Sequence, residues 1–383
     1  MPSASRLRRL LAVFPGVALA ALLACGALAQ EIKTDKSKDK SDTSRKVKFT
    51  SYDGVELSGT FYPKTPGGKD KDACVLLLHN FDSTKGGNSH QDGWDHLAET
   101  LQKEGYAVLS FDFRGFGDSK EVSKDKFWNR SKAPGNFSLR AAARMPDTID
   151  FHEFNRGYYP NLANDIAAAK ATLDHKNDSR EVNSSNLILI GAGEGATLGS
   201  LWLSSECKRK RSLGVVNDKL DFDDAESRDV ACAIWLSINP TLGGITMPVR
   251  SWMIEAGVDH KIPIGFLYGS DDHDGKEIAN RYSQSIREAA KSKRTNVDLT
   301  GAAGVPGTSL RGSQLLTKNL TTEELIKTYL ERVMDRRGAK EARARDPLKA
   351  TFYWTIRGVP LIAKSEQESL PRALPLAQLG VPQ

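Results

Sequence analysis

Residues 191–195 read Gly-Ala-Gly-Glu-Gly, between the apolar run Leu187–Ile190 and a helix start rich in small residues. This is the outline of the G-x-S-x-G nucleophile elbow, a sharp strand-to-helix turn that presents an attacking side chain at the top of a sheet. Its central position is Gly193, which has no side chain and cannot attack a carbonyl. Glu194 follows. Two roles are open to it: an acid in a first helical turn, favoured by the positive end of the helix dipole, or a carboxylate nucleophile. A hydroxyl nucleophile also needs an adjacent base. The seven histidines are His79, His90, His96, His152, His175, His260 and His273, and none lies beyond residue 273.

Strands and helices must alternate to position such a turn. Lys46–Ser51 and Glu56–Tyr62 alternate in polarity around Asp53-Gly54, a hairpin signal. Ala73–His79, Tyr106–Phe111, Leu187–Ile190, Val230–Ile238 and Ile262–Tyr268 are continuous apolar runs, as buried parallel strands require. A last short strand is expected at Asn296–Thr300. Helical stripes fall on Trp94, Leu97, Ala98 and Leu101, with Gly105 as the stop, and on Leu162, Ile166, Ala169 and Leu173. Helices are also expected over Ala196–Ser205 and Ile278–Ala290. Thr321 and Glu324 form a capping-box pattern before a stripe of Leu325, Ile326, Tyr329, Leu330 and Val333. The alternation predicts an α/β fold, a mostly parallel sheet sandwiched by helices with an N-terminal hairpin. Insertions interrupt it at 120–160, which is rich in aromatics, at 207–229, which is highly charged, and at 241–261.

Over residues 46–335 the chain resembles the α/β-hydrolase superfamily, in its dienelactone-hydrolase and serine-aminopeptidase forms. The motifs are His79-Asn80-Phe81 after a strand, Phe111-Asp-Phe-Arg-Gly-Phe-Gly-Asp-Ser119, the Gly191–Gly195 elbow, and Gly269-Ser-Asp-Asp272 after a later strand. The resemblance implies a serine, an acid and a histidine in that chain order. The nucleophile position is occupied by Gly193. The acid position falls on Asp272, vestigial if the other two are gone. The base is expected from the loop Gly301–Thr308, near Pro306, which cannot take a proton; His273 is the alternative. The oxyanion-hole and pocket positions fall on Asn80, Phe81 and Glu194. His79 reads as a residue that orients its loop, and Arg114 and Asp118 as structural turn residues. The aromatics of 127–159 read as packing beneath a long loop or as a ligand-binding lid.

The chain therefore reads as a degenerate α/β hydrolase that binds a small ligand or a protein partner. The alternative is an ester or amide hydrolase with an unusual nucleophile, Glu194 or a serine of the 83–89 loop. No cofactor or metal is expected. Gly191–Gly195 lacks the G-x-G-x-x-G spacing, and Ser270-x-Asp272-x-Asp274-Gly275 starts on Ser270 and ends on Arg281 where a calcium loop needs acids.

The 383 residues carry a net charge of +6. Arg6, Arg8 and Arg9, the apolar run Leu10–Leu23 and Ala27-Leu28-Ala29 form a secretory signal over 1–29, which predicts an exported protein, periplasmic or extracellular. Leu22-Leu23-Ala24-Cys25 resembles a lipoprotein box, so membrane attachment is expected only if Cys25 is lipidated. Without those three arginines the charge is too mild for a nucleic-acid partner. Residues 30–45 have the composition of a disordered linker, and 336–383 form a C-terminal extension. Cys74, Cys207 and Cys232 have no disulfide-framework spacing, and Cys74 and Cys232 read as core thiols.

Overall fold

The computed structural model describes residues 44–65, 70–131, 136–208, 225–317, 319–338, 340–343, 353–355, 373–375 and 380–381. The expected signal, the linker up to residue 43, Cys25, most of the 207–229 insertion and most of the C-terminal extension lie outside them.

The central sheet has eight strands: β1 (Arg45–Thr50), β2 (Glu56–Tyr62), β3 (Cys74–Leu78), β4 (Ala107–Phe111), β5 (Leu187–Ala192), β6 (Val230–Leu236), β9 (Ile264–Gly269) and β10 (Gly301–Val305). Between β6 and β9 the two short strands β7 (Thr241–Leu242) and β8 (Ile245–Thr246) make a separate hairpin. The strand order is β1-β2-β4-β3-β5-β6-β9-β10. Only the β1–β2 and β2–β4 pairs are antiparallel; β4, β3, β5, β6, β9 and β10 run parallel.

Among the described residues eight α-helices flank the sheet: α1 (Trp94–Lys103), α2 (Lys124–Ser131), α3 (Leu139–Arg144), α4 (Ala163–Asp178), α5 (Gly193–Lys208), α6 (Val249–Ile254), α7 (His273–Lys293) and α8 (Thr322–Arg337). Every residue of β3, β4, β5 and β6 is buried, because helices cover both faces. One face packs Leu97 and Leu101 of α1 and Ile326, Leu330 and Val333 of α8 against Val75, Leu77, Ile188 and Ile190. The other packs Ile166, Leu201, Trp252 and Ile286 against Leu76, Leu109 and Leu189. Each such side chain contributes about 1.5–3 kcal/mol on burial. This is the expected α/β architecture, a mostly parallel sheet flanked by helices on both faces.

Three local expectations are corrected. The last strand of the central sheet is Gly301–Val305, not Asn296–Thr300. Its sequence Gly-Ala-Ala-Gly-Val lacks the β-branched signature of a strand, and pairing with β9 decides its conformation instead. The loop expected to carry a base is therefore largely strand, and the real loop begins at Pro306. At α8 the N-cap residue Thr321 makes no side-chain capping bond; the neighbouring Thr322 hydroxyl donates to the Leu315 carbonyl.

The 120–160 insertion packs rather than covers. Phe127, Trp128, Phe137, Phe151, Phe154, Tyr158 and Tyr159 are all buried and meet mostly edge to face, as with Phe137 and Phe154 at 5.4 Å and 88°, the arrangement aromatic quadrupoles favour. Beneath them Arg114, fully buried, pairs with Asp165 and Asp53 and donates to the Tyr158 hydroxyl at 2.9 Å. One guanidinium faces two carboxylates, Asp165 fully buried and Asp53 partly exposed. Burial pushes Asp165 up to about 6, while Arg114 and Ser51 hold Asp53 below its usual range against burial.

Candidate functional site

The elbow forms where β5 meets α5. Gly193 sits at φ +52°, the left-handed region that only glycine enters without cost. Its neighbour glycines admit the backbone of the β3 loop: a Cβ on Gly195 would run into the carbonyl of His79.

The space where a nucleophile's side chain would begin is filled from across the sheet. A Cβ built on Gly193 would overlap Oδ1 of Asn80, far inside the 3.0 Å that real Cβ contacts respect. The same Oδ1 accepts a long hydrogen bond, 3.4 Å, from the backbone N–H of Glu194. On its other side Asn80 Nδ2 lies 3.3 Å from the Cβ position of Gly312, itself at φ +58°. The carboxamide of Asn80 thus bridges the elbow to the loop after β10. Phe81 is buried beside it and stacks on Tyr159 at 6.0 Å and 12°.

His79 is buried behind this loop and has both ring nitrogens engaged. Nε2 accepts from the Phe113 N–H at 3.1 Å, which leaves Nδ1 as the donor to the Asn80 carbonyl at 2.8 Å. The ring is neutral, and burial lowers its pKa. It orients the Asn80 backbone and has no lone pair left to take a proton.

The acid position is at the β9–α7 junction. The Asp272 side chain is fully buried, and Oδ1 is bound by the guanidinium of Arg311. Its Oδ2 has no hydrogen-bond partner among the described residues. Arg311 also donates to Asp274 Oδ2 at 2.9 Å, and these carboxylates, Asp274 first, raise its pKa above the ordinary arginine value. Pro306 lies at the start of this loop and Arg311 at its end. The side chain that meets Asp272 is thus Arg311, which sequence reasoning passed over; placing the last strand five residues too early hid it. His273 is exposed at the first residue of α7.

Glu194 turns toward the β7–β8 hairpin. Its Oε2 accepts from the Gly243 N–H at 3.2 Å and Oε1 from Asn239 Nδ2 at 3.5 Å. Gly243, at φ +54°, lies flat on the Tyr159 ring, where a side chain would clash. Glu194 is 8% exposed, and burial pushes its carboxyl up to about 7. The hairpin partners carried no sequence signal, because a two-residue strand has no periodicity to read. Of the serines in the 83–89 loop, Ser89 is buried and its N–H donates to Asp112 at 2.7 Å.

The elbow, Asn80, Phe81 and Glu194 therefore come together, and Asp272 joins them through Arg311 and Gly312. Among the described residues no group of three His, Cys, Asp or Glu side chains is arranged to hold a metal ion.

No family model matches the chain. A segment of 78 residues, 20% of this chain, is 33% identical to the uncharacterized protein YfhR of Escherichia coli strain K12, and the match spans 26% of that relative's length. Among solved structures, the chain is similar to an esterase of Pyrococcus furiosus, at 16% identity over 76% of this chain and 93% of that one, with a TM-score of 0.45. It is similar also to a thermostable carboxylesterase cloned from a metagenomic library, at 10% identity over 79% and 92%, TM-score 0.47. An esterase of Rhizomucor miehei matches at 11% identity over 77% and 85%, TM-score 0.48.

Proposed function

We propose that this is an exported protein of α/β-hydrolase fold that runs no Ser-His-Asp chemistry and uses the remodelled elbow region to bind a small ligand or a protein partner. The observation that carries the reading is the Asp272–Arg311 pair. In a working triad the acid orients an imidazole that takes the nucleophile's proton. A guanidinium keeps its proton throughout the physiological range and has no acceptor atom. With Arg311 on the acid and Asn80 over a side-chain-less Gly193, neither end of a proton relay remains.

One observation favours a second reading. Glu194 is a buried carboxyl at the elbow itself, and a carboxylate there is a chemically competent nucleophile toward an activated ester. Hydrolysis of p-nitrophenyl acetate and butyrate by the purified mature protein and by Glu194→Ala separates the two. Turnover no faster than in buffer supports the noncatalytic reading. Robust turnover lost in Glu194→Ala overturns it in favour of a carboxylate nucleophile.

A further inference from the structure

A cavity lies away from the elbow, at the opposite ends of the strands, where the chain enters β6 and β9. It is a half-open cleft of about 520 Å³, within the ~300–1,000 Å³ range of small-molecule sites. Its walls come from the 3-10 turn Glu226–Asp229, the π-helical turn Glu255–Asp259 with the two residues after it, and the end of α7. Three cations line it, Arg228, Lys261 and Lys293, against one acid, Asp259, which pairs with Lys293.

The three cations are exposed, and two features of the wall behind them are ordered. The buried Ser227 hydroxyl is hydrogen bonded to Nδ1 of His260 at 2.8 Å, so two polar side chains are fixed in the wall. Lys261 adopts φ +54°. It follows an irregular helix end that closes with the Ile262 N–H on the Ala256 carbonyl at 3.0 Å, a position where glycine or asparagine is usual. Holding a lysine there costs about 1 kcal/mol or more. Sparsely populated backbone states of this kind, and π-helical turns, concentrate at functional positions.

We propose that this cavity is a binding site for an organic phosphate monoester. The net charge of its lining, three cations against one acid, matches a dianion. The guanidinium of Arg228 and the ammonium groups of Lys261 and Lys293 are donors that suit phosphate oxygens. The volume leaves room beyond the phosphate for an organic group, which meets the apolar wall at Val258. The site is independent of the elbow and of whether the protein hydrolyses esters.

Titration calorimetry of the purified mature protein with phenyl phosphate, inorganic phosphate and benzoate tests this. Phenyl phosphate is expected to bind more tightly than inorganic phosphate, and benzoate, a monoanion, more weakly than either. Lys261→Gly relieves the strained backbone while removing the charge, so the fold is retained. It is expected to weaken phenyl phosphate binding by about tenfold, and Lys261→Arg to leave it within about threefold of wild type. Lys293→Ala is expected to weaken it as well. Absence of phenyl phosphate binding at millimolar concentration overturns the proposal. So does equal affinity for benzoate, or unchanged affinity in both Lys261→Gly and Lys293→Ala.

Discussion

Glu194 offers the most direct physical test of the elbow's environment. Its ordinary pKa of 4.5 rises to about 7 in the folded chain because burial disfavours the charged form. The unfolded chain releases this proton near 4.5, whereas the folded chain retains it until about 7. Between those values unfolding releases a proton, so raising the pH favours the unfolded state. At ~1.36 kcal/mol per pH unit, the interval corresponds to about 3 kcal/mol of stability present below pH 4.5 and lost by about pH 8. Glu194→Gln keeps the shape and an oxygen to accept from Gly243, and removes the titration. Urea unfolding of both proteins should then give similar stabilities at pH 4.5, with the variant gaining steadily to about 3 kcal/mol at pH 8. Parallel stability profiles across this range would refute the buried carboxyl and, with it, the inward orientation of Glu194.

Arg114 gives a second test. Arg114→Ala leaves Asp165 and Asp53 buried without their cation and is expected to cost about 3–5 kcal/mol in chemical denaturation; Arg114→Lys should recover little of it, since a single ammonium cannot replace the fork that reaches both carboxylates. At the elbow, Gly193→Ser should destabilise by about 1–3 kcal/mol through overlap with Asn80. The same serine in an Asn80→Ala background should cost measurably less, and a double-mutant cycle giving no coupling between the two positions would show that the Asn80 carboxamide does not occupy that space.

The parts of the fold that the sequence made legible are those where side-chain pattern and backbone agree. β3, β5 and β6 are unbroken apolar runs, and α1 repeats its apolar residues every third or fourth position. The missed element, β10, is the one whose glycines and alanines say nothing about pairing; its conformation is imposed by β9. That single slip moved the loop after it, and the residue on Asp272 was sought near Pro306 when it stands at Arg311. The partners of Glu194 were invisible for a different reason. Asn239 lies just before, and Gly243 in the turn of, a short hairpin between β6 and β9, and each meets a carboxylate distant in sequence, Gly243 through its N–H. Local pattern does not encode a contact of that kind.

The residues at the elbow are physically linked, and this bears on how the site would respond to substitution. Asn80 can lie against Gly193 only because position 193 has no Cβ, and a Cβ on Gly312 would come within 3.3 Å of the same carboxamide. Arg311, the residue before Gly312, is held by Asp272 and Asp274. A serine introduced at 193 therefore meets the Asn80 side chain before it meets any base, and a histidine introduced at 311 still finds Asn80 between itself and the elbow. Introducing one member of a triad leaves the other obstacles in place. The expected order is consequently strict: Gly193→Ser alone and Arg311→His alone each give no esterase activity, and only their combination with a smaller residue at position 80 opens a path from serine to imidazole. Activity from Gly193→Ser alone, measured as p-nitrophenyl butyrate turnover, would mean that Asn80 moves aside freely and that a base other than residue 311 serves the elbow.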